Sequence, residues 1–128
     1  MPYSDLTKGR YSHSGFCYHI TTVTRDRRAV FTNLTAGRVV VRELMALQAD
    51  AWAETLCFVV MSDHLHWLMQ LNDKQLRHVM QRLKGRTSRQ LGGRLWQERY
   101  YDHAVRGEED IRILARYIVA NPLRKGLV

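Results

Sequence analysis

His64 and His66 stand one residue apart in an alternating stretch whose odd positions are Leu65, Trp67, Met69 and Leu71. On a β-strand that spacing sends both imidazoles from the same face, with Cα atoms about 6–7 Å apart. Two imidazoles so placed can share one metal ion, histidine being the commonest metal-ligating side chain. Two surface histidines leave the same mark in a sequence, so the pair gains meaning only beside a third ligand and a nucleophile. Tyr117 and Asn121 offer those types at helical spacing: four residues apart, they are neighbours on one helix face. A phenol can serve as a nucleophile and an amide oxygen as a ligand. The plain readings are a boundary tyrosine with a wet hydroxyl and, for Asn121 before Pro122, a helix C-cap.

These residues need elements to hold them. Residues 16–24 (Phe-Cys-Tyr-His-Ile-Thr-Thr-Val-Thr) are aromatic and β-branched, which predicts a strand ended by Arg25-Asp26-Arg27-Arg28. A helix is expected from Thr35, as N-cap, to Ala49. The apolar run 56–61 suits a central strand, Ser62-Asp63 a turn, and 64–71 a half-buried strand with His64, His66 and Gln70 opposite the apolar positions. Leu76, Val79, Met80, Leu83 and Leu91 then recur at helical spacing until Gly92-Gly93. Tyr100 to Arg106 offers another strand. Glu108, Glu109 and Asp110 favour the positive start of a last helix with a core stripe of Ile111, Leu114 and Ile118, and Pro122 is expected to stop it at Ala120 or Asn121. The order β-α-β-β-α-β-α implies an α+β fold, an antiparallel sheet with helices on one face.

At 128 residues the chain is expected to form one domain over residues 1–128, and a (β/α)₈ barrel of about 250 residues does not fit. With 45% hydrophobic residues it can bury a core. Its 16 Arg and 4 Lys outweigh 12 acidic residues, giving a net charge of +8. Guanidinium pairs with phosphate through two parallel hydrogen bonds, so the Arg bias points to a polyanion. Residues 74–99 carry eight basic residues (Lys74, Arg77, Arg82, Lys84, Arg86, Arg89, Arg94, Arg99) against Glu98 alone. That excess reads as a phosphate-tracking surface, the alternative being a solvated helix face. Nucleic acid is favoured over membrane because no apolar run approaches the roughly 18 residues of a bilayer span. No signal-peptide pattern opens the chain, so the expected compartment is the cytoplasm. Cys17 and Cys57, 40 residues apart without CxxC spacing, read as two reduced, buried thiols.

Four segments, in order, carry a resemblance: Gly9-Arg10-Tyr11-Ser12; Met61-Ser62-Asp63-His64-Leu65-His66-Trp67; Trp96-Gln97 through Tyr101-Asp102-His103-Ala104-Val105-Arg106; and Tyr117-Ile118-Val119-Ala120-Asn121-Pro122 with Gly126-Leu127-Val128. Together they resemble the REP-associated tyrosine transposases, a branch of the single-tyrosine HUH transposases, over nearly the whole chain. The resemblance implies a ferredoxin-like sheet carrying His64 and His66 as ligands of Mg²⁺ or Mn²⁺, Tyr117 as nucleophile and Asn121 as third ligand. It matches Gly9, Arg10, Tyr11 and Ser12 to a signature associated with recognition of repetitive extragenic palindromes. The implied partner is a DNA hairpin with a single-stranded flank, cut through a 5′-phosphotyrosine link, by an enzyme expected to be monomeric, a dimer being the alternative. Ser62 stands where proline is common before the HUH segment.

Arg10, Lys84, Arg86 and Arg89 are the candidate phosphate contacts, and Tyr11 could stack on a base. His103 and Arg106 match the family motif without an assignable role. His13, His19 and His78 lack a partner motif and read as structural or exposed. The rival readings are a non-catalytic nucleic-acid-binding module on the same sheet and a small zinc hydrolase, the latter without further His/Cys/Asp ligands after Trp67.

Overall fold

The computed structural model describes the backbone of residues 16–124 and the side chains of residues 16–120. Gly9, Arg10, Tyr11 and Ser12 lie outside the described residues, as does the side chain of Asn121. Four strands, β1 (Cys17–Val23), β2 (Ala53–Val60), β3 (His64–Leu71) and β4 (Tyr101–Val105), form one antiparallel sheet in the order β2-β3-β1-β4. Helix α1 (Leu34–Ala49) joins β1 to β2, α2 (Leu76–Gln90) joins β3 to β4, and α3 (Glu108–Arg124) follows β4.

Each of the first two helices connects parallel strands that are separated by one other strand. Right-handed crossovers therefore place both on the same sheet face, the ferredoxin-like arrangement. Beneath them lies the larger core, where Ile20, Leu65, Trp67 and Met69 meet Val40, Leu44 and Leu47 of α1 and Val79, Met80 and Leu83 of α2. The indole of Trp67 keeps its N–H satisfied by donating to Thr55 Oγ1 at 2.9 Å.

The expected placement of helices on one face holds for α1 and α2. The terminal helix α3 adds a layer on the opposite face, reaching across to β2. A second apolar cluster forms there from Cys17, Leu68, Val105 and Ile118, flanked by Cys57, Val59, Ile111, Leu114 and Ala115. Strand β3 is consequently buried on both faces rather than half-buried. Gly107, at φ 81°, makes the turn between β4 and α3, a left-handed conformation suited to glycine.

Three boundaries differ from expectation by more than one residue. Asn33, not Thr35, caps α1, its side chain accepting from the amides of Thr35 (2.9 Å) and Ala36 (3.2 Å). Strand β2 starts at Ala53 and carries an irregularity between Thr55 and Cys57, which turns Leu56 outward and Cys57 toward the second core. Helix α3 runs through Pro122 to Arg124. Proline removes one backbone donor and crowds the preceding turn, which disfavours a helix without forbidding it.

Candidate active site

Strand parity builds the site. Leu65, Trp67 and Met69 point into the larger core, so His64 and His66 must point the other way, with Leu68, toward the face that α3 covers. His64 is only 8% exposed. The two imidazoles meet edge to face, with ring centroids 4.9 Å apart at 86°.

The turn leading into β3 is clamped from three sides. The Thr24 amide donates to the Asp63 carbonyl at 2.8 Å, its hydroxyl proton is shared between the carbonyls of Arg28 (2.7 Å) and Asp63 (3.1 Å), and the Phe31 amide donates to the Ser62 carbonyl at 3.0 Å. The Met61 amide donates to the His64 carbonyl at 2.8 Å. Ser62, standing where proline is common in the resembling family, therefore sits in a turn that its neighbours hold in place.

Asp63 braces His64. One carboxylate oxygen lies 2.7 Å from His64 Nδ1, and the other pairs with Arg27 Nε at 3.3 Å. Arg27 reaches it from a turn in which Asp26 and Arg27 take φ of 57° and 50°. Burial opposes ionisation of Asp63, yet the His64 hydrogen bond and charge, the Arg27 guanidinium and a backbone bond together hold its carboxyl below the ordinary range. A carboxylate can only accept, so Nδ1 of His64 carries the proton in this contact, and in the neutral ring the lone pair then lies on Nε2.

On the other ring, His66 Nδ1 lies 3.1 Å from His19 Nε2 and 3.3 Å from Thr21 Oγ1. His19 is the residue that sequence reasoning passed over. Its partner is 47 positions away, and only the register of β1 on β3, with Thr21 opposite His66 and His19 opposite Leu68, brings the rings together. Burial, and then the charge of His103 across the β1–β4 pair, push the His19 pKa down and favour its neutral form.

Tyr117 projects from α3 beside this group and is 47% exposed, which suits its expected place at the rim of the Ile111, Leu114, Ile118 stripe. It lines a pocket of about 720 Å³ with His19, His103, Val105, Arg106 and Leu114. His19 thus touches His66 and lines the tyrosine's pocket, while His103 and Arg106, without a role from sequence, share that pocket. Asn121 follows one helical turn after Tyr117 in the α3 backbone.

The two imidazoles stand edge to face with Nδ1 of each engaged, and an imidazole pair of this kind is the donor type that suits a divalent ion. No group of three His, Cys, Asp or Glu side chains converges among the described residues. A zinc centre built from three such ligands is therefore not formed among them, and a third protein ligand there would have to be of another type.

The basic stretch is partly engaged. Lys84 Nζ donates to the carbonyls of Gln97 (2.6 Å) and Glu98 (2.9 Å), tying α2 to the segment before β4. Arg86 Nε lies 3.0 Å from Oε1 of the buried Glu43, a charge pairing whose alignment falls short of a hydrogen bond. Arg82 pairs with Asp50 at 2.6 Å and lies over the Trp52 ring, as does Lys74. Arg89 is exposed and forms no ion pair among the described residues. Arg25, Lys84 and Arg94 line a separate pocket of about 460 Å³ with Trp96 and Glu98.

Residues 12–121 match the family described as Transposase IS200 like. The chain belongs to that family. Among curated proteins this IS200-like transposase is similar to the REP-associated tyrosine transposase of Escherichia coli (strain K12), at 26% identity over 122 residues covering 93% of this chain and 73% of that one. Among solved structures it is similar to a REP-associated tyrosine transposase bound to a REP hairpin, with TM-score 0.81 and 26% identity, again over 93% of this chain and 73% of that one. A structure from Deinococcus radiodurans R1 shares the fold at TM-score 0.62 and 23% identity, over 88% of this chain and 95% of that one. No helix among the described residues of this IS200-like chain is long and apolar enough to cross a membrane.

Proposed function

We propose that this chain cuts and rejoins single-stranded DNA beside a REP-type hairpin, with Tyr117 as nucleophile and Mg²⁺ or Mn²⁺ held by His64, His66 and Asn121. The observation that carries the reading is the shared face: strand parity turns the histidine pair toward the layer from which Tyr117 projects, and His19 contacts His66 while lining the pocket of Tyr117. A tyrosine, two paired imidazoles and an Arg-rich surface on an IS200-like fold suit phosphodiester transfer.

The Tyr117 hydroxyl attacks the scissile phosphorus. Its Oη–P bond forms as the P–O3′ bond breaks; the phenol gives up its proton and the departing 3′-oxygen takes one up. One phosphodiester replaces another, so a second 3′-hydroxyl can reverse the step and complete strand transfer without ATP. An ordinary phenol, with pKa of about 10, is a poor nucleophile at neutral pH, so the site has to assist. When bound, the metal ion supplies Lewis-acid polarisation of a non-bridging oxygen and neutralises charge on the leaving group. Two imidazoles with one amide oxygen suit Mn²⁺ better than Mg²⁺ on ligand softness.

The hairpin supplies the address and the flank supplies the cut. Gly9, Arg10, Tyr11 and Ser12 are assigned to recognition of the hairpin. Arg89 is the best placed of the candidate phosphate contacts on α2, since Lys84 and Arg86 also serve as internal ties. The protein acts in the cytoplasm as a monomer.

Incubation with a labelled hairpin bearing its single-stranded flank, in Mn²⁺, followed by a denaturing gel, tests the reading. A protein–DNA band is expected that needs the metal and is absent in Tyr117→Phe. Hairpin binding that survives metal removal, with no covalent band under any condition, would instead mark a non-catalytic binding module.

A further inference from the structure

We propose that His19 is a positioning residue that sets the tautomer in which His66 can bind a metal ion. The inference deepens the reading of His64 and His66 as metal ligands and rests on it.

His19 Nε2 and His66 Nδ1 face each other at 3.1 Å, with ring centroids 5.3 Å apart. Between two neutral imidazoles at that distance one nitrogen donates and the other accepts. If His66 donates from Nδ1, its Nε2 carries the lone pair and can ligate. If His19 donates from Nε2, the His66 proton sits on its own Nε2, and that nitrogen cannot ligate. Through this contact the tautomer of His19 biases the competence of His66. Thr21 Oγ1, at 3.3 Å from the same nitrogen, can donate or accept and so follows whichever choice is made.

The two ligands differ in how they are braced. His64 faces the Asp63 carboxylate at 2.7 Å, an acceptor without an alternative. His66 faces a partner with two states. That partner also lines the pocket of Tyr117 and pairs across β1–β4 with His103. Partners of this kind, hydrogen-bonded to the distal nitrogen of a ligating histidine, typically change metal affinity about 10–100-fold when removed.

The test combines Mn²⁺ titration, read as free Mn²⁺ by electron paramagnetic resonance, with long-range ¹H–¹⁵N correlation of the His66 ring in metal-free protein. Wild type is expected to show His66 protonated on Nδ1. His19→Phe combined with Thr21→Val is expected to mix the tautomers and to weaken Mn²⁺ binding about 10-fold or more. His19→Gln, whose amide oxygen can accept the same proton, should stay within a few-fold of wild type. If His66→Ala weakens Mn²⁺ binding but the double variant matches wild type in tautomer and affinity, the role of His19 is overturned and the metal reading stands. If His66→Ala leaves Mn²⁺ binding unchanged, the metal reading fails and this inference falls with it. The wild-type spectrum decides even where a variant does not fold, since a His66 ring protonated on Nε2 contradicts the assignment directly.

Discussion

Ile118 and Leu68 are both fully buried on the sheet face opposite α1 and α2, and their shared cluster docks α3 over the strand that carries the two paired histidines. Tyr117 is the residue before Ile118, so the anchor of the helix and its proposed nucleophile are adjacent in the chain. The position of Tyr117 depends on apolar packing that contains none of the proposed chemistry.

Ile118→Ala should therefore cost about 2–4 kcal/mol of stability, through lost transfer energy and the cavity left behind. Because the cavity lies under α3, cleavage should fall more steeply than hairpin binding. Denaturant unfolding, with binding and cleavage measured on the folded variant, checks both parts.

Arg86→Ala and Arg89→Ala should separate, although they stand three residues apart on α2. Loss of Arg86 leaves the buried Glu43 carboxylate with the Gln90 amide alone. About 1–2 kcal/mol of stability should go with it, discounted because Arg86 is itself half exposed. Arg89→Ala should leave the melting transition in place and lower the magnitude of the salt slope of DNA binding by roughly 0.7–0.9 of a unit if it neutralises one phosphate. Unfolding curves and binding isotherms at several salt concentrations distinguish them.

Lys84 should report through alkaline stability. Burial lowers its pKa from the ordinary 10.5, with Glu98 acting in the opposite direction. Between the folded-state value and 10.5 the unfolded chain binds the proton more fully, so this group's contribution to stability increases with pH across that window. Lys84→Met should lack that rise. It should also lose about 1–3 kcal/mol at neutral pH, as the Gln97 and Glu98 carbonyls give up their donor. Denaturant unfolding between neutral pH and pH 10.5 follows both effects.

Much of this was legible in the sequence, where local pattern is strong. The clean alternation of residues 64–71 matches β3 end to end, and the stripe of Ile111, Leu114 and Ile118 is the face that α3 buries. The ferredoxin-like arrangement was implied by the family resemblance, and the observed order β2-β3-β1-β4 agrees with it. What escaped depends on pairings between distant segments. His19 looked solitary because its contact with His66 exists only through the β1–β3 register. The charge excess of residues 74–99 looked uncompensated because the matching acids, Glu43 and Asp50, belong to α1 and the turn after it. Pro122 looked like a stop, and the α3 backbone continues past it. Asp63 was read only as part of a turn, although its place directly before His64 was the available hint of a brace.

The most direct test of the central claim is to map the covalent link. After reaction with hairpin DNA in Mn²⁺ and digestion by nuclease and trypsin, mass spectrometry should find the residual nucleotide on the peptide that ends at Arg124, whose sole tyrosine is Tyr117. A nucleotide on any other peptide, such as the one holding Tyr100 and Tyr101, or a cleaved substrate with no adduct at all, would contradict the assignment.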